Sequence, residues 1–345
     1  MDSLTVKLVA TDSRGRMLLT IGIPTYNRVA VVARHVDGLV AASVHDAAQV
    51  LIIDNASTDG TFERLRQICD GTTIRVLRNP VNLGWKGNVV RLFEECNTEY
   101  LLVTSDEEPV MPAHLRELVR FLSARRPLFV SPQYYWHEQP EILFRGHLKS
   151  GPIAPHELYV CCGHSIGLVY KAQESREVLA DVKFHLDKKE LHIYHQVLLV
   201  AGLLLRGTCL WWDRPIVHQE YVAQSTHDLW DYMPQRWEQH KAFVDFFEDL
   251  VNKADDPAKR RAARRMLQDQ QEGLIYFLRL AIGRERPDLL RPFDRGARAW
   301  YGLKRPLGII YGLLVRHPVA SWRALRMRLR WEVSRVRRRR NGSCG

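Results

Sequence analysis

The chain has 345 residues, and none of its apolar stretches reaches the roughly 20 residues that a membrane-spanning helix needs. The longest runs are Val197 to Leu205, interrupted only by Gly202, and the Ile309–Val315 region. A soluble protein, or one that lies on a membrane without crossing it, is therefore expected. There is no Cys-x-x-Cys pair among the six cysteines, although Cys161 and Cys162 are adjacent. No signal-peptide pattern precedes the first expected strand, so the thiols of a cytosolic protein are expected. Internal repeats are absent. Net charge is also scarce in most of the chain. Residues 316–340 hold ten Arg and one Glu, +9 of the formal +11, and the preceding 315 residues carry only about +2. That subtraction removes most of the support for a nucleic-acid enzyme. A hydrophobic content of 46% supports a real core, in one large domain or one domain with an appendage.

What is present is an alternation of strands and helices between Met17 and Glu108. Leu18–Ile23 is closed by Pro24-Thr25-Tyr26-Asn27-Arg28. Val50–Ile53 is closed by Asp54-Asn55-Ala56-Ser57-Thr58-Asp59-Gly60, and Tyr100–Thr104 by Ser105-Asp106-Glu107-Glu108. Continuous apolar runs broken by polar loops predict a parallel sheet buried on both faces. Ligands of such sheets bind beyond the carboxyl ends of the strands. Here those ends carry a hydroxyl and amide loop, an Asp-rich loop and an acidic triplet, which suits a nucleotide, a divalent metal and a phosphate leaving group. Helices are expected at about 29–42, 60–69, 86–96 and 112–125, with Pro112 in a first turn. Phe129-Val130-Ser131 begins another strand. Residues 132–160 read as loops and short strands, possible walls of a substrate pocket. Cys162–Tyr170 reads as a strand entered through a Gly-rich turn. A helix follows at 172–180, then an apolar helix to about Leu205 and a last strand at Thr208–Trp212. From Asp228 onward the pattern is helical, broken near Pro257, Pro287 and Pro306.

These blocks resemble the GT-A glycosyltransferases of the large inverting family 2 type. The matching segments are Ile23–Arg28, Ile53–Thr61, Asn79–Asn88 and Asp106-Glu107-Glu108, in the family's order and spacing. The likeness is good over about 18–130 and looser to about 225. It implies an α/β fold with a doubly wound, mostly parallel sheet and a helical C-terminal extension. A GT-A catalytic domain would span 1–225, with a nucleotide-sugar half at about 17–130 and an acceptor half at about 131–225. Residues 226–345 would form a helical region ending in a basic tail. The implied substrate is a nucleotide-sugar, a UDP-, dTDP- or GDP-sugar. By position, Pro24, Thr25, Tyr26, Asn27 and Arg28 would line the base and ribose pocket. Asp54 would contact the base with Ser57 and Asp59 nearby, and Asn82, Gly84 and Asn88 would support the nucleotide. Asp106 and Glu108 fall on the Asp-x-Asp motif that holds Mg²⁺ or Mn²⁺ against the diphosphate. The usual third Asp is Glu here, one methylene longer, so that a water could mediate or Glu107 could share the task.

Departure of a nucleoside diphosphate builds negative charge that a cation on hard oxygen ligands neutralises. The acceptor hydroxyl needs a general base. Glu190 is the first choice by position and Asp187 the second, while His195 follows in a Tyr-His context and could instead bind diphosphate or acceptor. His218, on the loop after the last strand, could reach the metal. Each has a plainer alternative: a turn cap for Asp54, a surface turn for Asp106, a core-edge histidine for His195. For His164 and Ser165, strand packing is the favoured account over an acceptor pocket. In the tail, Trp322, Leu325, Leu329, Val333 and Val336 share one helical face and arginines fill the rest. Such a helix suits an anionic membrane surface; its alternative is a docked terminal helix with a solvated Arg tail. The resulting expectation is a cytoplasmic enzyme, peripheral on the inner face of the membrane, that glycosylates a glycan or lipid-linked acceptor in surface polysaccharide biosynthesis. A nucleotidyltransferase and a non-catalytic nucleotide-sugar binder or scaffold remain as alternatives. The first lacks a Gly-rich basic loop after the first strand, and the second is left open by Glu108.

Overall fold

The computed structural model describes residues 15, 17–136, 139–191, 195–218 and 233–268, without the side chains of 136, 139–144, 233–238, 240 and 241. The chain starts with strand β1 (Leu19–Thr25), helix α1 (Val29–Ala41), β2 (Gln49–Asp54), α2 (Thr61–Ile68) and β3 (Arg75–Arg78). It continues through α3 (Gly84–Glu95), β4 (Tyr100–Val103) and α4 (Pro112–Arg125). A second half follows: β5 (Phe129–Trp136), β6 (Gln139–Arg145), β7 (Gly151–Pro152), α5 (Leu158–Cys162) and β8 (Leu168–Lys171). It ends in α6 (Ala172–Asp181), α7 (Lys183–Leu186), α8 (Gln196–Arg206), β9 (Cys209–Pro215) and α9 (Met233–Lys253).

The strands lie in the order β3-β2-β1-β4-β8-β5-β9-β7, with β6 paired to β5. The β3, β2, β1 and β4 ladders are parallel, β8 runs antiparallel to both β4 and β5, and β5 is parallel to β9. This is the doubly wound, mostly parallel α/β sheet expected from the apolar runs. The two-residue period sends Leu51, Ile53, Leu101 and Val103 into one core, and Val50, Ile52, Tyr100 and Leu102 into the core on the opposite face. Helix α1 buries Val32, Val36 and Leu39 at helical spacing, and α4 buries Leu115, Leu118, Val119 and Leu122. Each such aliphatic side chain contributes about 1.5–3 kcal/mol on burial. Gly22 explains how closely α3 sits on β1. A Cβ there would fall 2.9 Å from Leu101 and 3.1 Å from Leu92 of α3.

Three segments differ from the sequence reading. Strand β3 carries no clear sequence signal, because Arg75 and Arg78 flank the short apolar pair Val76-Leu77. Strands β5 and β6 run longer than the loops and short strands expected over 132–160, and Pro132 sits inside the β5–β9 ladder opposite Trp212, next to a register shift. Leu158–Cys162 is helical, so the Gly163 turn joins a helix to β8 rather than opening a longer strand. Helix α9 places Phe243, Phe246 and Phe247 in the same core cluster as Val197–Leu203 of α8. The five cysteines among the described residues are free and buried. No helix among the described residues is long and apolar enough to cross a membrane. The possible strand Thr5–Ala10 and the basic tail lie outside the described residues.

Candidate active site

At the carboxyl end of β1 the chain turns through Asn27, whose φ is +51°. Its backbone N–H donates to Ser57 Oγ at 2.8 Å, and its Oδ1 accepts from the Thr58 N–H at 2.8 Å. Asp59 accepts from the Val29 and Thr61 N–H groups at 3.2 and 3.0 Å. Asn27, Ser57 and Asp59 therefore stitch the loop after β1 to the loop after β2. Asp54, fully buried, accepts from the Ser57 N–H at 3.1 Å through Oδ2, which lies 3.5 Å from Arg78 Nε. Its Oδ1 has no protein partner.

A chain of amides then builds the next wall. Asn79 Nδ2 donates to Asn55 Oδ1 at 2.9 Å and to Asn88 Oδ1 at 3.0 Å, and Asn88 Nδ2 donates to the Ile53 carbonyl at 3.1 Å. Asn55 Nδ2 reaches Asn82 Oδ1 at 2.8 Å, which also accepts from the Gly84 N–H at 2.8 Å. This network fixes the Asn82–Gly84 turn against the strand ends through a relay of side-chain amides, in which Asn79 donates twice while its own Oδ1 has no protein partner.

The acidic triplet closes the site. Thr25 Oγ1 donates to Asp106 Oδ2 at 2.8 Å, and Arg28 forms an ion pair with Glu107. Burial raises the Asp106 carboxyl to about 6, against the opposing pull of the Thr25 hydrogen bond and of Arg28. Glu108 points inward and is 6% exposed. Tyr134 OH donates to its Oε1, and Ser105 Oγ to its Oε2 at 2.7 Å. Burial raises this carboxyl as well, opposed by those two hydrogen bonds.

These loops enclose a cavity of about 570 Å³, a size suited to a small-molecule ligand. Of the residues singled out in the sequence, Pro24, Thr25, Tyr26, Arg28, Asn82, Gly84, Asn88, Asp106 and Glu108 line it. Asn27, Asp54, Ser57 and Asp59 stand behind the wall and hold its loops. Asn55, Trp85 and Ser105 also line the cavity, and so does Glu107. Asn55 and Trp85 fall inside the matched blocks, but nothing local marked them as facing a ligand. The far wall is His164, Ser165 and Ile166, for which strand packing was the favoured reading. The turn before β8 instead presents them to the cavity. The His164 ring stacks on Tyr134 at 4.3 Å, and burial, with Arg145 nearby, lowers its pKa to about 3.

The structure does not bring the other expected residues to this wall. Asp187 is exposed and paired with Lys183 at 2.7 Å. Glu190 is half-buried beside residues 192–194, which lie outside the described residues. His195 is buried at the start of α8, its pKa lowered to about 4 by burial and by Lys86. His218 is exposed, and its N–H donates to the Pro109 carbonyl at 2.9 Å, one residue past the acidic triplet. Lys86, in the first turn of α3, donates to the Leu186 carbonyl and so ties the segment that carries Asp187 to the start of α3, beside the Asn82–Gly84 turn.

A cavity at the carboxyl ends of parallel strands, with hydroxyl, amide and carboxylate loops on a doubly wound sheet, defines a Rossmann-like GT-A site. Residues 20–175 match the family described as Glycosyl transferase family 2. Among solved structures, TarS 1-349 of S. aureus in complex with UDP-GlcNAc is similar at 13% identity and a TM-score of 0.55, over 79% of this chain and 75% of that one. The mannosyltransferase PcManGT of Pyrobaculum calidifontis, in complex with GDP-Man and Mn²⁺, is similar at 15% identity and a TM-score of 0.50, over 89% and 83%. At these identities the likeness is one of fold. No curated protein gives a match.

Proposed function

We propose that the protein is a glycosyltransferase that moves a sugar from a nucleoside-diphosphate donor to a hydroxyl of a glycan or lipid-linked acceptor, with inversion and with a divalent cation. The observation that carries this reading is the cavity in which Thr25, Arg28, Asn82 and Asp106 converge from three loops. Asp54, fully buried behind this wall, would shape the base pocket by holding the Ser57 turn. Tyr26 and Arg28 suit the base, ribose and diphosphate.

The donor set fits Mg²⁺ or Mn²⁺. Asp106 and Glu107 are hard carboxylates on the cavity wall, and no group of three or more ligating side chains occurs among the described residues. A cation held by one or two carboxylates completes its shell with phosphate oxygens and water. Bound there, it would neutralise charge on the departing diphosphate. Arg28 adds a second positive group to the same side, released from Glu107 as the diphosphate arrives. Ser165 and His164 close the opposite side, where the sugar would lie. Glu190, with Asp187 as the second candidate, is the proposed base for the acceptor hydroxyl. His195 is a positioning group at the head of α8, and His218 is a further candidate ligand beside Pro109. Attachment to the inner membrane surface through the arginine-rich tail, and a role in surface polysaccharide synthesis, complete the proposal.

The test is release of nucleoside diphosphate from a panel of UDP-, GDP- and dTDP-sugars with Mn²⁺. Release from one class, abolished in Asp106→Asn, supports the reading. No release from any sugar nucleotide overturns it in favour of a binding or scaffold role.

A further inference from the structure

Glu108 occupies the position of the family's third acidic residue, but its surroundings are those of a buried structural charge. Both carboxylate oxygens are engaged, Oε1 by Tyr134 OH and Oε2 by Ser105 Oγ. Its backbone is held too, since Thr104 Oγ1 donates to the Glu108 carbonyl at 2.6 Å. The extra methylene of Glu over Asp is what carries the carboxylate to these two hydroxyls.

Behind Tyr134 lies Arg145, 1% exposed. The guanidinium carbon sits 5.3 Å from the Tyr134 ring centroid. Its hydrogen bonds go to neutral carbonyls, Pro132 at 3.2 Å, His164 at 2.8 Å and Gly167 at 3.5 Å. A buried guanidinium needs an opposite charge. The Glu108 carboxylate, bonded to the hydroxyl of the tyrosine whose ring the guanidinium covers, supplies negative charge to it. A divalent cation placed on Glu108 would break two hydrogen bonds and sit near that guanidinium, so both attraction and repulsion oppose it. His164 Nε2 stands 3.6 Å from Glu108 Oε1 and its ring stacks on Tyr134. The orientation of this cavity wall thus depends on the same carboxylate.

We propose that Glu108 is no part of the metal grip: it is the counter-ion of the buried Arg145 and, through Tyr134, the positioning residue for His164, and the cation falls to Asp106 and Glu107. The cation's identity rests on the transferase reading; the anchoring role does not.

The experiment compares Glu108→Gln, Glu108→Asp, Tyr134→Phe and Asp106→Asn in the full chain. Without ligand, Glu108→Asp and Tyr134→Phe are each expected to lower Tm by about 3–8 °C. The double variant should fall short of their sum, because both remove one shared bond. The His164 imidazole resonances should move in both. For whichever of UDP, GDP, dTDP or CDP the wild type binds, the Mn²⁺ enhancement of affinity should stay within about threefold in Glu108→Gln and fall by more than about tenfold in Asp106→Asn. The proposal is overturned if Glu108→Gln loses that enhancement as fully as Asp106→Asn does. It is also overturned if Glu108→Asp keeps its stability and binds Mn²⁺ more tightly, or if the Glu108/Tyr134 cycle is additive. A wild type that binds no nucleotide overturns the transferase reading, while the ligand-free cycle still decides the role of Glu108.

Discussion

Replacing Asp106 by Asn should make the protein more stable at alkaline pH, and the size of the gain follows from its burial. The carboxyl titrates at about 6 in the fold against an ordinary 3.8. Ionising it in the folded protein therefore costs about 3 kcal/mol more than in the unfolded chain, at about 1.4 kcal/mol per pH unit. The folded pKa is the raised one, so the benefit of the neutral acid is fully present below about pH 4 and is lost as pH rises through about 6. Asn cannot ionise and can still accept from Thr25 Oγ1. The variant should match the wild type near pH 4 and exceed it at pH 8 by up to about 3 kcal/mol, about 5–10 °C in Tm for a domain of this size. Thermal melts at pH 4, 6 and 8 measure this directly. A difference that does not change with pH, or an Asn variant less stable at pH 8, would refute the reasoning.

Three further outcomes are expected. Asn79→Ala leaves Asn55 Oδ1 and Asn88 Oδ1 without that donor in a buried setting, and should cost about 2–3 kcal/mol in denaturant unfolding and raise the donor KM more than it lowers kcat. Gly167→Ala forces a side chain into a backbone with φ +71° and places its Cβ 2.7 Å from Val217, so a loss of about 1–3 kcal/mol should appear in melts. Apparent Mn²⁺ affinity, measured calorimetrically with a nucleoside diphosphate present, should fall as pH is lowered through about 6 and approach a tenfold loss per pH unit, because a ligating carboxylate must be deprotonated.

The strand-end side of the cavity was legible because its chemistry is local. Thr25, Asp54, Asn82 and Asp106 each sit at the end of an apolar strand or in a turn, and the strand ends converge in any parallel sheet. The far wall was not legible. Whether His164 packs or faces a cavity depends on Tyr134, thirty residues earlier, and on Arg145 beneath it, and no local pattern records such a stack. Glu108 shows the same limit: its spacing fits an acidic motif, while its environment is set by Ser105, Tyr134 and Arg145 together. In the fold, β1, β2 and β4 were plain from their uninterrupted apolar runs. Strand β3 has two arginines around two apolar residues and fell below what periodicity can signal, while β5 was legible at Phe129–Ser131 and its extension was hidden by Pro132. The helix at Leu158–Cys162 is too short for a 3.6-residue repeat to emerge.

The central claim is that the cavity holds a nucleoside diphosphate with a divalent cation on Asp106. The most direct measurement is the Tm of the wild type and of Asp106→Asn with UDP, GDP, dTDP and CDP, each with and without Mn²⁺, since a ligand of the folded state raises the midpoint according to its affinity. Stabilisation by one diphosphate that requires Mn²⁺ and disappears in Asp106→Asn is the predicted result. A midpoint that no nucleotide moves, with or without Mn²⁺, would contradict it.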